Sequence, residues 1–213
     1  MKRCRIILMK IVPEIFEKIE LAHSSVVVIT KYFDGPQTES VLMQLQTYPS
    51  FIAIGENRIG DIMAKNIPRE RVHFIGNIQS RNIPDIAKHC VVIHSLCEVS
   101  HGEKLNAMEE PIQVFIQINI SQEPQKSGVL PEDLPDFLKH MESFSNIEIL
   151  GISAMGAGGF LEETKRAEFV ELKRLRDTYL PAGKISAGTS RDFEIALKEG
   201  IEIVRVGRAI FDL

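Results

Sequence analysis

The chain alternates between short apolar runs and longer stretches in which hydrophobic and polar residues repeat with the period of a helix. Runs rich in β-branched residues predict eight strands, at residues 26–30, 51–55, 72–75, 91–94, 114–120, 147–152, 185–187 and 203–206. Amphipathic stretches between them predict helices, for example at residues 36–47, 98–110, 132–143 and 162–179. Eight strands separated by helices favour an α/β fold, a (β/α)8 TIM-type barrel, over an open doubly wound sheet. The Gly-x-Gly-x-x-Gly segment of a dinucleotide-binding fold is absent after the first strand, which also favours the barrel.

The two ends of the sequence bear on how such a barrel would be completed. The last predicted strand ends at Val206, seven residues before Leu213, which leaves no room for a full helix after it. An amphipathic stretch at residues 12–21 precedes the first strand, and we expect it to form a helix that covers this gap. Residues 1–213 are therefore predicted to form a single domain, a common length for one barrel.

The fifth predicted strand shows which side chains would point into the barrel. In the segment QVFIQINIS, one face is aliphatic from Val114 to Ile120, and the other carries Phe115, Gln117 and Asn119. The aliphatic face is expected to pack against helices, so Gln117 and Asn119 would lie inside, near the carboxyl end of the strand. Their amides would then bind a ligand, or neighbouring strands or water would satisfy them.

Composition excludes several classes of protein. Of the 213 residues, 44% are hydrophobic and 25% charged, and the net charge is −4, unlike a nucleic-acid binder with a basic face. The three cysteines, Cys4, Cys90 and Cys97, form no CxxC pair, which favours a reducing compartment. We predict neither a signal peptide nor a membrane span, and hence a cytoplasmic protein. An anionic ligand would have to be held by local features.

A lysine directly follows the first strand. Lys31 shares a face with Val27 and Ile29, and Arg205 shares a face of the last strand with Ile203. Because a closed barrel makes its first and last strands neighbours, Lys31 and Arg205 would lie together at the interior rim. A lysine at a strand end is most often a solvated surface residue. The alternative is a reactive amine at the mouth of a pocket, and the C-terminal segment favours it.

The loops after the last two predicted strands have the features of a phosphate site. Ser190 lies between the seventh strand and a helix, and Gly207 directly follows the eighth strand. In barrels these loops often bind phosphate through backbone N–H groups, a hydroxyl and a helix N-terminus. Ser190 would donate its hydroxyl, Gly207 would let the backbone approach, and the amide of Arg208 would point at the anion. Alternatively, Ser190 only caps the helix and Gly207 only forms a turn.

A reactive amine opposite a phosphate site suits a ligand with an aldehyde at one end and a phosphate at the other. Pyridoxal 5′-phosphate is such a molecule, and Lys31 would hold it as an imine. The guanidinium of Arg205, facing the pyridine nitrogen, would keep that nitrogen unprotonated. The bound cofactor would then be a poor electron sink.

Several segments, taken in this order, resemble the pyridoxal phosphate homeostasis protein family, whose fold is similar to the N-terminal barrel of alanine racemase. The similarity runs from Val26 to Phe211. It rests on VITK with Lys31, GENR at 55–58, HFIGNIQS at 73–80, IHS at 93–95, QINIS at 117–121, KSG at 126–128, the Ser186-x-Gly188-x-Ser190-x-Asp192 run and VRVGRAIF at 204–211.

The resemblance implies a cytosolic, monomeric, non-catalytic protein that binds pyridoxal phosphate, buffers it and delivers it to the apo-forms of other enzymes, without contact to nucleic acid or membrane. The racemase also uses a tyrosine from a second domain, for which this sequence shows no counterpart. In this family Lys31 would carry the imine, Asn57 would lie beside the cofactor ring and Arg205 would face its nitrogen. The cofactor-binding residues implied are Lys31, Asn57, Gly76, Asn77, Ser190, Arg205, Gly207 and Arg208.

Other functions remain open from the sequence. Lys31 would equally serve a lysine-dependent enzyme that acts on a small phosphorylated or keto substrate. Asn77 replaces a histidine usual in the family, and SRN at 80–82 replaces the usual SNK, so a module that no longer loads the cofactor is a further alternative, as is residual racemase activity. Arg208 replaces a small residue and would either add a bond to the phosphate or crowd it. The six histidines lack metal-ligand spacing, and we expect His94 to be hydrogen-bonded in the core rather than to face the pocket.

Overall fold

The computed structural model of the protein describes residues 10–155 and 161–212. Its strands are β1 (Lys10–Ile11), β2 (Ser25–Ile29), β3 (Phe51–Glu56), β4 (Val72–Phe74), β5 (Val92–Leu96), β6 (Ile112–Ile118), β7 (Ile147–Ala154), β8 (Lys184–Ser186), β9 (Ile203–Val206) and β10 (Phe211–Asp212). Its α-helices are α1 (Pro13–Leu21), α2 (Gly35–Leu45), α3 (Ile59–Lys65), α4 (Ile83–His89), α5 (Val99–Asn106), α6 (Leu134–Met141), α7 (Glu162–Tyr179) and α8 (Phe193–Lys198).

Strands β2 to β9 form a closed parallel barrel in chain order, in which β2 also pairs with β9. Where these two strands meet, Val27 lies opposite Arg205 and Val28 lies opposite Val206. The predicted TIM-type barrel is therefore confirmed, and the eight barrel strands begin and end within two residues of their predicted bounds. The helix predicted at residues 98–110 ends earlier, at Asn106, whose side-chain oxygen accepts a hydrogen bond from the backbone of Asn146 at 2.9 Å.

Helix α1 takes the place of a helix after the last barrel strand, as predicted. Its Phe16 and Ile19 are fully buried, and the ring of Phe16 stacks on Tyr48, which follows α2, at 4.0 Å between centroids. On its other side Lys18 forms an ion pair with Glu194 of α8 at 2.5 Å. Helix α1 therefore lies between α2 and α8 and covers the strands where the barrel closes.

The short strands β1 and β10 form an antiparallel pair outside the barrel that the sequence did not predict. Ile11 lies opposite Phe211, and the backbone of Val12 donates a hydrogen bond to Ile210 at 2.9 Å. Two-residue strands are too short to show a periodicity of two, so no pattern marked them. The pair ties the segment before α1 to the segment after β9.

The barrel has an inner and an outer apolar layer. The inner layer is a small cluster that includes Val27, Phe115 and Ile203, whereas the outer layer between strands and helices is much larger. On β6 the outer layer contains Val114 and Ile116, while Phe115 points inwards. The predicted alternation of this strand is confirmed, and it leaves the interior near the carboxyl ends to polar side chains.

Cys90 is buried and Cys97 is half-buried, and both are free thiols; Cys4 lies outside the described residues. In the described part of the chain, none of the helices combines the length and the apolar character needed to cross a bilayer.

Candidate functional site

A cavity of about 540 Å³ lies at the carboxyl ends of the barrel strands. Its walls come from the segments that follow β2, β3, β4, β7, β8 and β9 and from side chains inside β2, β5, β6 and β9. All eight residues for which the sequence predicted a cofactor contact line it, namely Lys31, Asn57, Gly76, Asn77, Ser190, Arg205, Gly207 and Arg208. The structure therefore brings together residues from both ends of the chain, at the face where barrels bind their ligands.

The charge of the cavity is opposite to that of the whole chain. Its described lining residues include four basic side chains, Lys31, Arg191, Arg205 and Arg208, and no Asp or Glu, although the chain carries a net charge of −4. Basic groups gathered in a concave site raise the local concentration of anions. The cavity is therefore suited to an anionic ligand.

Lys31 lies in the turn between β2 and α2. Thr30 before it is fully buried, whereas Lys31 itself is exposed and lines the cavity. Helix α2 begins with a capping box, in which Asp34 accepts from the backbone of Gln37 at 2.9 Å and Gln37 accepts from the backbone of Asp34 at 3.0 Å. The turn that carries the amine therefore lies between a buried residue, Thr30, and the hydrogen-bonded start of α2 at Asp34.

Tyr32 was not predicted as a site residue, yet its ring lies beside two cations of the cavity. The ring centroid is 5.2 Å from Nζ of Lys31 and 6.0 Å from the guanidinium carbon of Arg208. Both distances allow cation–π attraction, and the side chain is 59% exposed. The ring of Tyr32 therefore lies within cation–π distance of both charged groups at the mouth of the cavity.

Ser190 and Gly207 are joined directly. The hydroxyl oxygen of Ser190 accepts a hydrogen bond from the backbone N–H of Gly207 at 3.0 Å, so the hydroxyl proton is left to donate to a ligand. The alternative in which Ser190 caps the next helix is wrong, because α8 has Asp192 at its N-cap position. The carboxylate of Asp192 instead accepts from the backbone and hydroxyl of Thr189, at 2.6 and 2.9 Å, and so shapes the loop after β8.

Arg205 forms part of the cavity floor. Its guanidinium donates to the carbonyl of Ala154 at 2.7 Å and to that of Ser186 at 3.1 Å, and the residue is buried. Burial lowers the pKa of Arg205 to about 10, so the group is still a cation at neutral pH. A fixed positive charge therefore faces the bottom of the cavity.

His94 lines the cavity and also belongs to a buried hydrogen-bonded chain. One ring nitrogen, Nε2, is 2.9 Å from Nδ1 of His73, and the other is 2.8 Å from Oγ of Ser186. Burial lowers the pKa of His73 to about 4, and burial together with the charges of His73 and Arg205 holds the pKa of His94 well below its ordinary value. The expectation of a hydrogen-bonded, buried histidine is confirmed, but the expectation that His94 would not face the pocket is wrong, because the residue lines the cavity.

The two amides predicted to face the interior differ in position. Gln117 lines the cavity, and its amide donates to the carbonyl of Ser127 at 2.7 Å. Asn119 donates to the carbonyls of Glu123 and Lys126, at 3.0 and 3.2 Å. Both side chains therefore donate to the loop after β6, and ligand binding by Gln117, which lines the cavity, stays a prediction.

Gly76 allows two loops at the cavity wall to touch. A Cβ atom on Gly76 would lie 2.1 Å from the carbonyl oxygen of Asn57, which no side chain could accept. The carbonyl of Gly76 accepts a hydrogen bond from the hydroxyl of Ser95 at 2.5 Å. These contacts position Asn57 against the loop after β4, while Asn77 is exposed at the rim.

Sequence reasoning missed part of the cavity lining. The lining residues it did not name as candidates are Ile29, Tyr32, Ile75, Gln79, Met155, Thr189 and Arg191. Ile29 lies two residues before Lys31, and Ile75 lies two residues after the buried His73, so the alternation of a strand would have revealed both. The remainder lie in loops, for which no periodicity exists.

The closed parallel barrel with a basic cavity at the carboxyl ends of its strands is a TIM-type barrel suited to binding a small anion. Comparison with known proteins identifies its family. The family model of the alanine racemase N-terminal domain matches residues 50–213. The pyridoxal phosphate homeostasis protein of Pseudomonas aeruginosa is 32% identical to this chain over 166 residues, which cover 74% of this chain and 72% of that protein. The pyridoxal phosphate homeostasis protein of Aquifex aeolicus is 31% identical to this chain over 172 residues, which cover 74% of this chain and 75% of that protein. The chain therefore belongs to the pyridoxal phosphate homeostasis protein family, which confirms the resemblance seen in its sequence.

Solved structures share the fold. PipY of Synechococcus elongatus with pyridoxal phosphate bound has a TM-score of 0.75 at 21% identity, and the match covers 92% of this chain and 99% of that one. Alanine racemase of Corynebacterium glutamicum has a TM-score of 0.73 at 16% identity, covering 96% of this chain and 63% of the racemase. The same barrel thus occurs in an enzyme, alanine racemase, and in PipY, a protein of similar length to this chain.

Proposed function

We propose that this protein binds pyridoxal 5′-phosphate as an imine on Lys31 and acts in the cytosol as a non-catalytic carrier that buffers the cofactor and delivers it to apo-enzymes. One observation carries the proposal. The amine of Lys31 and the hydrogen-bonded pair of Ser190 and Gly207 line one cavity whose described lining has four basic side chains and no carboxylate. An aldehyde and a phosphate on the same small molecule match this arrangement.

Each residue has a definite part in the proposal. The nitrogen of Lys31 replaces the aldehyde oxygen, which leaves as water with the two amine protons. The hydroxyl of Ser190 and the backbone N–H of Arg208 hold the phosphate, and Gly207, whose own N–H donates to Ser190, lets the backbone approach the anion. Asn57, Gly76 and Asn77 flank the ring, at the wall of the cavity where the loops after β3 and β4 touch.

Arg205 supports a carrier rather than an enzyme. Pyridoxal phosphate supplies an electron sink when its ring nitrogen is protonated. A guanidinium has no lone pair to accept that proton as a hydrogen bond and repels a second positive charge, so Arg205 beside the ring nitrogen keeps it neutral. The carbonyls of Ala154 and Ser186 hold the guanidinium in the cavity floor, where it would face that nitrogen. We further propose that residues 1–213 act as one domain and as a monomer.

The first test is spectroscopic. The purified protein, loaded with pyridoxal phosphate, is expected to absorb visible light, and borohydride is expected to bleach it and leave the mass of a reduced pyridoxyl phosphate on Lys31. Lys31→Ala should lose both signals. Lys184→Ala is a matched control, because Lys184 is exposed at the start of β8, at the opposite end of the barrel. A Lys31→Ala protein with an unchanged spectrum would overturn the assignment.

A second candidate uses the same geometry. An amine near an anion site also suits a lysine-dependent enzyme whose substrate is a small phosphorylated or keto compound. That function predicts a colourless protein that does not gain visible absorbance with pyridoxal phosphate, but that borohydride traps on Lys31 once a sugar phosphate is added. The two spectra therefore separate the candidates.

A further inference from the structure

A buried ion pair contacts Thr30, the residue that precedes Lys31. Glu56 is the last residue of β3 and Lys65 is the last residue of α3, and their side chains are 1% and 4% exposed. Oε1 of Glu56 forms an ion pair with Nζ of Lys65. Neither side chain is part of the cavity lining, so the pair lies outside the site proposed for the ligand.

The pair holds the residue that precedes Lys31 at two points. The hydroxyl of Thr30 donates to Oε1 of Glu56 at 2.5 Å, and Nζ of Lys65 donates to the backbone carbonyl of Thr30 at 2.8 Å. The same carbonyl accepts from the backbone of Phe33 at 2.9 Å, which closes the turn that carries Lys31. The peptide group between Thr30 and Lys31 is thus tied to a buried, charged anchor.

Stability alone does not explain this pair. Removing two charges from water costs free energy, and apolar replacements of buried ion pairs are often neutral or stabilising. Oε2 of Glu56 is buried and has no hydrogen-bond partner within residues 10–155 and 161–212, which adds to the cost. The arrangement concentrates its hydrogen bonds on one residue, Thr30, and that residue is the neighbour of the reactive amine.

We propose that Glu56 and Lys65 are positioning residues that fix the turn of Lys31 and so hold its amine in the orientation that forms the imine. The proposal rests on the proposed function and deepens it. A lysine side chain is long and flexible, and it loses conformational entropy when the imine forms. Because the backbone of Lys31 is already fixed, this entropic cost is smaller. Loss of the pair should therefore weaken and slow cofactor loading even where the barrel still folds.

Three variants separate positioning from stability. Lys65→Met removes the donor to the Thr30 carbonyl, Glu56→Gln removes the charge but keeps an acceptor for the Thr30 hydroxyl, and the double variant removes both charges. The matched control is Glu202→Gln, because Glu202 bonds Arg176 and the backbone of Ile185 at the amino end of the barrel. Each protein is measured for melting temperature without cofactor and for the affinity and rate of imine formation with pyridoxal phosphate.

We expect Lys65→Met to weaken imine formation about tenfold, the scale of one lost hydrogen bond to a charged group. The double variant should recover part of the melting temperature, since no buried charge is left unpaired, but none of the lost affinity. Glu202→Gln should bind as the wild type does. If the double variant loads pyridoxal phosphate with wild-type affinity and rate, the pair is only structural and the proposal is overturned.

A second measurement does not need the cofactor. Hydrogen exchange of the apo-protein should rise selectively at the Phe33 amide in Lys65→Met, because the carbonyl that accepts its hydrogen bond is no longer anchored. Unchanged exchange there would contradict the proposal. A wild-type protein that forms no imine would instead refute the proposed function, and the exchange result would still decide whether the pair holds the turn.

Discussion

The hydroxyl oxygen of Ser190 accepts a hydrogen bond from the backbone N–H of Gly207 at 3.0 Å, which joins the loops after the last two barrel strands. Because that oxygen is the acceptor, the hydroxyl proton is free to donate to an anion between the loops. Ser190 therefore shapes the proposed phosphate site, and its hydroxyl proton is placed to donate to a phosphate there.

Ser190→Ala should weaken the binding of pyridoxal phosphate about tenfold, since a hydrogen bond to a charged group contributes ~1.5–3 kcal/mol and a backbone N–H loses its acceptor. The measurement is an equilibrium titration of visible absorbance. Pyridoxal without its phosphate is the matched ligand, and its affinity for Lys31 should be almost the same in the variant and the wild type. Equal losses for both ligands would mean that Ser190 does not act on the phosphate.

The sequence predicted the barrel and the positions of Lys31 and Arg205 because both follow from local periodicity. Strand alternation placed Arg205 on the interior face and Lys31 just beyond the same face of β2, and closure of the barrel required β2 and β9 to be neighbours, as the pairing of Val27 with Arg205 shows. The residues of a single strand and the number of strands are sufficient to predict both positions.

The anchors of the site could not be predicted in this way. Lys65 reaches Glu56 and Thr30 from the end of a seven-residue helix, and His94 meets Ser186 across the barrel, 92 positions later in the sequence. Such contacts depend on side-chain packing between elements, for which a single sequence contains no periodic signal. The same limit applies to Tyr32, whose position beside both Lys31 and Arg208 follows from loop conformation.

Gly76→Ala should destabilise the protein and disturb Asn57. The new methyl group would lie 2.1 Å from the carbonyl oxygen of Asn57, so the loop after β3 or β4 must move, at a cost of about 1–3 kcal/mol. Urea unfolding of the apo-protein measures this cost, and cofactor affinity should fall with it. Gly60→Ala is the control, because a Cβ there meets nothing within 4 Å and α3 gains helix propensity. A fully stable Gly76→Ala protein would contradict the close contact.

Arg208→Ala tests whether the arginine assists or crowds the phosphate. Its guanidinium is exposed at the cavity mouth beside Tyr32, where it adds a positive charge close to the proposed anion site. We expect affinity for pyridoxal phosphate to fall about threefold to tenfold at low salt, with a smaller loss at high salt, because salt screens exposed charges. Arg71→Ala, which changes an arginine before β4 at the other end of the barrel, should have no effect. Tighter binding by Arg208→Ala would show that the side chain crowds the site.

The buried histidines predict how stability depends on pH. Burial lowers the pKa of His73 to about 4 and also lowers that of His94, whereas both would titrate near 6.5 in the unfolded chain. Below pH 6.5 the two histidines bind protons in the unfolded state but stay neutral in the folded state. The free energy of unfolding therefore falls as the pH is lowered towards 4.

Each histidine should contribute up to about 1.4 kcal/mol per pH unit to that slope, which urea unfolding at pH 6.5, 6.0, 5.5 and 5.0 would measure. A His73→Gln/His94→Gln variant should have a much flatter profile in this range, whatever its absolute stability. His140→Gln, which changes an exposed histidine at the end of α6, should keep the wild-type slope. A double variant with an unchanged slope would mean that other groups cause the acid sensitivity and that burial does not keep His73 and His94 neutral.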